Sequence, residues 1–290
     1  MDSVVSHDLI FPYLLRKVTE KAALASYNWI GRGNKTGGDS AAVEAMRSSL
    51  DELKINGTIV IGEGEKDEAP QLYNGEVFGN KDASDQLDIA VDPLEGTTFL
   101  ADGQTNAMAV IATAPKGTMF DPAPAFYMEK FAAPAETRGK IDMDWPIEKK
   151  LLTVANLIEK DIENLTVFVL EKPRHRSLIE EINHAGARVA LYPAGDIAGA
   201  LMAAIPDSEV DVLMGTGGTP EGIISASAIR AMGGEFLGRL DPQLATELVR
   251  VRDADLDTKR RYDRDAVPYT HPTLPPIPRY DAAPPREAGR

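Results

Sequence analysis

Between Pro12 and Gly31 the apolar residues Leu14, Val18, Ala22, Ala25 and Trp29 recur every three or four positions, which predicts one face of a helix ending at Gly31-Arg-Gly33. A second helix is expected from Asp39 through Val43, Met46, Leu50 and Leu53, with Asn56-Gly57 as its terminator. The pattern then shortens into apolar runs with strand character: Thr58–Ile61, Leu87–Val91 and Ala107–Ala112. From about Lys150 strands and helices alternate. Leu165–Leu170, Arg188–Tyr192 and Asp211–Met214 read as strands, Leu178–His184 and Ile197–Ile205 as helices. Gly215-Thr-Gly-Gly218 reads as a glycine loop, followed by a helix opened by Thr219-Pro220 and running through Ile223, Ala226, Ile229 and Met232. Such alternation predicts an α/β fold in layers. The division expected is an N-terminal α/β layer over residues 1–150, a C-terminal α/β layer over 151–265, and a tail over 266–290. The last 23 residues, from Pro268, hold seven of the 20 prolines and show little periodicity.

The 290 residues include 31 Lys and Arg against 45 Asp and Glu, a net charge of −14. A field of that sign repels phosphate backbones and disfavours nucleic-acid binding. With no cysteine in the chain, disulfides, thiolate metal sites and thiol catalysis are excluded. Four histidines, His7, His175, His184 and His271, leave carboxylates as the main metal donors, which favours Mg²⁺ or Mn²⁺ over Zn²⁺. Neither a signal peptide nor a membrane span is expected, and the cytoplasm is the simplest compartment.

Acidic residues collect where strands end or helices begin: Asp39, Glu63 with Glu65, Asp92 with Glu95, and Glu221 after the glycine loop. In layered α/β folds, ligands bind beyond the carboxyl ends of strands. Pro93 fixes φ, so Asp92-Pro-Leu-Glu95 is expected to form a tight turn in which two carboxylates converge. Carboxylates in this number could hold two metal ions that clamp a phosphoryl group. Gly96-Thr97 follows directly, with backbone N–H groups suited to an anion and a hydroxyl suited to a water. Ordinary structural roles stand beside each candidate. Asp39 could be a helix cap, Lys35 an exposed loop charge, Tyr127 a core aromatic and His175 a cap of the following helix.

Six stretches, in order, resemble one family: Gly31-Arg-Gly-Asn-Lys35, Ile59-Val-Ile-Gly-Glu-Gly-Glu65 with Asp67-Glu-Ala-Pro70, Asp88–Thr97, Tyr127-Met-Glu-Lys130, Lys172-Pro-Arg-His175 and Gly217-Gly-Thr-Pro-Glu-Gly222. They are similar to class II fructose-1,6-bisphosphatases of the GlpX type, within the lithium-sensitive sugar phosphatase and inositol monophosphatase-like superfamily. The resemblance implies an αβαβα sandwich, Mg²⁺- or Mn²⁺-dependent hydrolysis of the 1-phosphate of fructose 1,6-bisphosphate in gluconeogenesis, and a homo-oligomer, dimer or tetramer. It implies metal ligands at Asp39, Glu63, Asp92, Glu95 and Glu221. Lys35, Glu65 and Asp67 would surround metal and water, and Thr97 would polarise the attacking water. Substrate contacts would come from Glu95, Gly96, Thr97, Tyr127, Arg174, His175, Arg176, Gly195, Asp196 and Gly218.

Three departures accompany the resemblance. Ala194-Gly195-Asp196 stands where the family usually has Asp-Gly-Asp, and Asn34 where an Asp is common. The family's late strand beyond the region of Leu240 has no counterpart found here, so the second layer is expected to be shortened. Alternative functions are a dual fructose/sedoheptulose bisphosphatase, another small sugar phosphatase, or a non-catalytic sugar-phosphate-binding relative. Nucleotide binding is disfavoured, because neither glycine segment has the order of a phosphate-binding loop or dinucleotide fingerprint.

Overall fold

A computed structural model describes residues 7–63, 71–83 and 86–265. Among these residues, two sheets and eight α-helices are arranged in layers. The first sheet has the order β2-β1-β3-β4, formed by Asn56–Ile61 (β1), Val77–Gly79 (β2), Gln86–Glu95 (β3) and Met108–Pro115 (β4). The second comprises Tyr127–Ala133 (β5), Thr166–Leu170 (β6), Arg188–Tyr192 (β7), Val212–Gly218 (β8), Glu235–Leu240 (β9) and Tyr262–Asp263 (β10), ordered β10-β9-β5-β8-β6-β7. The chain changes sheet between β4 and β5, earlier than the boundary at residue 150 expected from the pattern.

Three apolar clusters fix the stacking. Helices His7–Ser26 (α1) and Lys35–Asp51 (α2) put Val18, Ala22, Met46 and Leu50 against Ile59, Ile89 and Val91 of the first sheet. Asp196–Ala204 (α6) and Thr219–Met232 (α7) lie between the sheets, where Ile197, Ala200, Ile223 and Ile229 meet Ala90 on one side and Phe168, Leu213 and Phe236 on the other. Ile147–Leu157 (α4) and Arg176–His184 (α5) cover the outer face of the second sheet through Leu151, Val154 and Ile182. The result is αβαβα, as the resemblance implied. Two further helices, the short Thr97–Ala101 (α3) and Ala245–Asp253 (α8), complete the described fold.

Several boundaries differ from expectation for identifiable reasons. α2 begins at Lys35 because Asn34 caps it, its side chain accepting from Gly37 N at 2.8 Å. Asp39 therefore sits inside the helix and is not its cap. Asp92-Pro-Leu-Glu95 is not a separate turn. β3 runs through it with an irregular register against β4 between Asp92 and Glu95, where a proline lacking N–H is tolerated. Gly215–Gly218, expected as a loop, is the end of β8. The short β10 pairs with the outer side of β9. The proline-rich tail lies outside the described residues, as do Glu65 and Asp67.

Candidate active site

A cleft of about 510 Å³ opens where the ends of β1, β3 and β8 meet α2, α6 and α7. Asp39 from α2, Glu63 after β1, Asp92 and Glu95 at the end of β3, and Glu221 in the first turn of α7 all line it. Four separate stretches of sequence thus bring five carboxylates to one place. Gly96, Thr97, Arg174, Gly195, Asp196 and Gly218 line the same cleft. Two turns of its wall are alike: Gly96 and Gly195 both adopt left-handed φ, 75° and 87°. A Cβ at either would stand 2.6–2.7 Å from the ring of buried Phe99, so only glycine lets that ring seat both turns.

The carboxylates are costly neighbours. Burial raises Glu63 to about 7, with Asp39 and Glu221 pushing the same way. Burial raises Glu95 to about 9, reinforced by Asp196, Asp92 and Glu221 and opposed by Lys130. Burial and the charges of Glu221, Glu63 and Asp39 lift Asp92 well above its ordinary range, although its Oδ1 accepts from Leu94 N at 3.0 Å. Asp39 and Glu221 shift upward too, chiefly through burial. Glu95 Oε2 and Glu221 Oε2 are buried with no hydrogen-bond partner. Buried, mutually repelling carboxylates with orphaned oxygens suit hard divalent cations, which bind oxygen ligands and reverse this local charge balance. Among the described residues no three such groups are drawn into a preassembled metal cage.

Other expected site residues fall elsewhere. His175 is 3% exposed and both its ring nitrogens are engaged. Nδ1 lies 2.7 Å from Leu170 O, and Nε2 accepts from Thr216 N at 2.8 Å. This corrects its expected role as a substrate contact: the imidazole pins the loop after β6 to β8. Arg176 opens α5 as an exposed residue outside the cleft lining. Lys35 also lies outside the lining, donating to Thr98 Oγ1 at 2.8 Å beside Thr97. Tyr127 is not part of the lining either, and instead lies under the Arg174 guanidinium, 5.1 Å from ring centroid to Cζ. Arg174 donates from Nε to Thr216 O at 2.9 Å. Lys172 opens the Lys172–His175 stretch but is not among the substrate contacts that the resemblance implies. It lines the cleft with its Nζ on Pro193 O, and its place two residues before Arg174 was the available signal.

The bacterial, glpX-encoded fructose-1,6-bisphosphatase family model matches residues 11–269. The chain belongs to that family. Within it, fructose-1,6-bisphosphatase 1 class 2 of Escherichia coli (strain K12) is 51% identical over 224 residues, covering 77% of this chain and 66% of the relative. Fructose-1,6-bisphosphatase class 2 of Shigella flexneri matches with the same identity and coverage. The chain thus spans just under two thirds of the length of these curated relatives. Among solved structures, an inositol monophosphatase from Anabaena (Nostoc) sp. PCC 7120 aligns at a TM-score of 0.43 and 14% identity, covering 83% of this chain and 89% of that one. An extragenic suppressor from Pyrococcus furiosus aligns at 0.35 and 13%, covering 67% and 70%.

Proposed function

We propose that this protein hydrolyses the 1-phosphate of fructose 1,6-bisphosphate with the aid of Mg²⁺ or Mn²⁺ held by Asp39, Glu63, Asp92, Glu95 and Glu221. The observation that carries this reading is the convergence of those five carboxylates on one cleft, each pushed above its ordinary pKa range. Family membership supports the substrate. When bound, such ions polarise phosphoryl oxygens and acidify a coordinated water.

The remaining work falls to side chains and backbone of the chain itself. Lys172 and Arg174 put positive charge on the wall contributed by the second sheet. With Nε committed to Thr216 O, Arg174 keeps its terminal nitrogens for a phosphate, and the Tyr127 ring beneath holds the guanidinium plane. Asp196 offers an acceptor for a sugar hydroxyl. Thr97, in the wall beside Glu95, is the group assigned to orient the attacking water, with Lys35 holding the adjacent Thr98. Two ends of a bisphosphate therefore meet two kinds of surface: carboxylate-rich at the reacting phosphate, cationic at the other.

The protein is proposed to act in the cytoplasm as a dimer or tetramer; among the described residues no helix is long and apolar enough to cross a membrane. Light scattering after size exclusion checks the assembly. For the ligand set, Asp92→Asn and Glu221→Gln are expected to lower metal-dependent phosphate release from fructose 1,6-bisphosphate at least about 100-fold. Full release from either variant would remove that residue from the site.

A further inference from the structure

β5 carries a lysine where the interior of a sandwich calls for an apolar side chain. Lys130 is 2% exposed, and its Nζ is 2.5 Å from Asp196 Oδ2, across 66 residues of sequence. Lysine is almost never buried so completely unless it is paired. Space for the pair is made by absent side chains. A Cβ on Gly217 would stand 2.0 Å from Asp196 Oδ2 and 3.1 Å from Lys130 Nζ, and one on Gly222 would stand 3.1 Å from Lys130 Cε. Both glycines belong to the Gly217–Gly222 motif that also carries Glu221.

The two partners face different surroundings. Asp196 lines the cleft, whereas Lys130 does not and acts from the sheet beneath it. A bare carboxylate here would repel the phosphates of a sugar bisphosphate. A carboxylate with one oxygen bound to a buried ammonium keeps its other oxygen as a hydroxyl acceptor, while the pair as a whole carries no net charge. Stability alone does not call for this arrangement, since a buried ion pair replaced by a neutral one is often as stable.

We propose that Lys130 is a positioning residue that neutralises Asp196 from below, so that Asp196 accepts a sugar hydroxyl without repelling the phosphates on the same ligand. The inference rests on reading the cleft as a sugar-bisphosphate site. It also explains how a site built for an anion includes a sixth acidic side chain beside the five converging carboxylates.

The test is a double-mutant cycle of the unsubstituted protein, Lys130→Met, Asp196→Asn and Lys130→Met/Asp196→Asn. Two readouts are taken: kinetics with fructose 1,6-bisphosphate, and thermal melting of the metal-free protein. Lys130→Met is expected to raise KM roughly 10- to 100-fold, the range for losing a hydrogen bond to a charged group, with a smaller change in kcat. The double variant is expected to show the KM of Asp196→Asn alone and to melt above both single variants, because its pair is neutral. If Lys130→Met does not fold, comparing Asp196→Asn with the double variant still decides the question. Equal KM supports the proposal and a further loss overturns it. Folded Lys130→Met with unchanged KM, or single effects that multiply, also overturns it. No phosphate release by the unsubstituted protein would instead sink the functional reading itself.

Discussion

Replacing one of the buried cleft carboxylates by its amide should make the metal-free protein more stable. Glu63 is the clearest case, because its side chain makes no hydrogen bond among the described residues and its carboxyl is raised from 4.5 to about 7. A carboxyl with a raised folded-state pKa binds more protons folded than unfolded. Its contribution to stability is therefore complete below pH 4.5 and is lost as pH rises through about 7. At about 1.4 kcal/mol per unit, ionised Glu63 costs the folded state about 3 kcal/mol at pH 8, and under about 1 kcal/mol at pH 5. Glu63→Gln removes that cost, of which the repulsion by Asp39 and Glu221 is a part. In a chain of this size the gain corresponds to roughly 5–10 °C in melting temperature at pH 8. The assay is thermal unfolding followed by circular dichroism in EDTA at pH 5 and pH 8, repeated with Mn²⁺. The variant should melt higher than the unsubstituted protein at pH 8, with most of the gap gone at pH 5. Mn²⁺ should stabilise the unsubstituted protein more than the variant. A variant that melts at or below the unsubstituted protein at pH 8 in EDTA, or a gap that does not change with pH, would refute the reasoning.

Two further predictions concern parts that hold the site in place. His175→Ala removes the side-chain partner of Thr216 N, leaves Leu170 O with Lys172 N alone, and should cost about 2–4 kcal/mol in urea unfolding, with a rise in KM because Arg174 is tied to Thr216 O. Burial holds the His175 ring below its ordinary 6.5, so its contribution is present above pH 6.5 and fades as pH falls; the alanine variant should lose that part of the acid sensitivity. Glu247 is wholly buried, and its two oxygens accept from Phe126 N, Tyr127 N and Gln243 N at 2.6–2.9 Å, which ties α8 to the start of β5. Glu247→Ala should cost at least about 3 kcal/mol in the same assay and weaken substrate binding through Tyr127 and Arg174.

The layered fold was legible wherever an element's apolar residues kept a clean period. That held for α1, α2, β1, β6 and the helices between the sheets. β5 and β9 escaped because each carries charge inside the sheet. Glu129 and Lys130 break the run of β5, and their compensation comes from Arg239, 110 residues away, and Asp196, 66 away. A pattern read locally has no access to such partners. The acidic positions were legible because carboxylates gathered at strand ends, and the cleft indeed collects Asp39, Glu63, Asp92, Glu95 and Glu221. The basic side was less so. In Lys172-Pro-Arg-His-Arg176 the residue types alone do not say which side chains reach the cleft. The short helical turn from Pro173 to His175 sends Lys172 and Arg174 to it, buries His175 and leaves Arg176 on the surface.

The central claim, that five converging carboxylates make a metal-assisted sugar bisphosphatase, is tested most directly by the products. Fructose 1,6-bisphosphate incubated with the purified chain and Mn²⁺ or Mg²⁺ should yield one equivalent of phosphate and fructose 6-phosphate, with none in EDTA. Absence of phosphate release at saturating metal, or fructose 1-phosphate as the product, would contradict it.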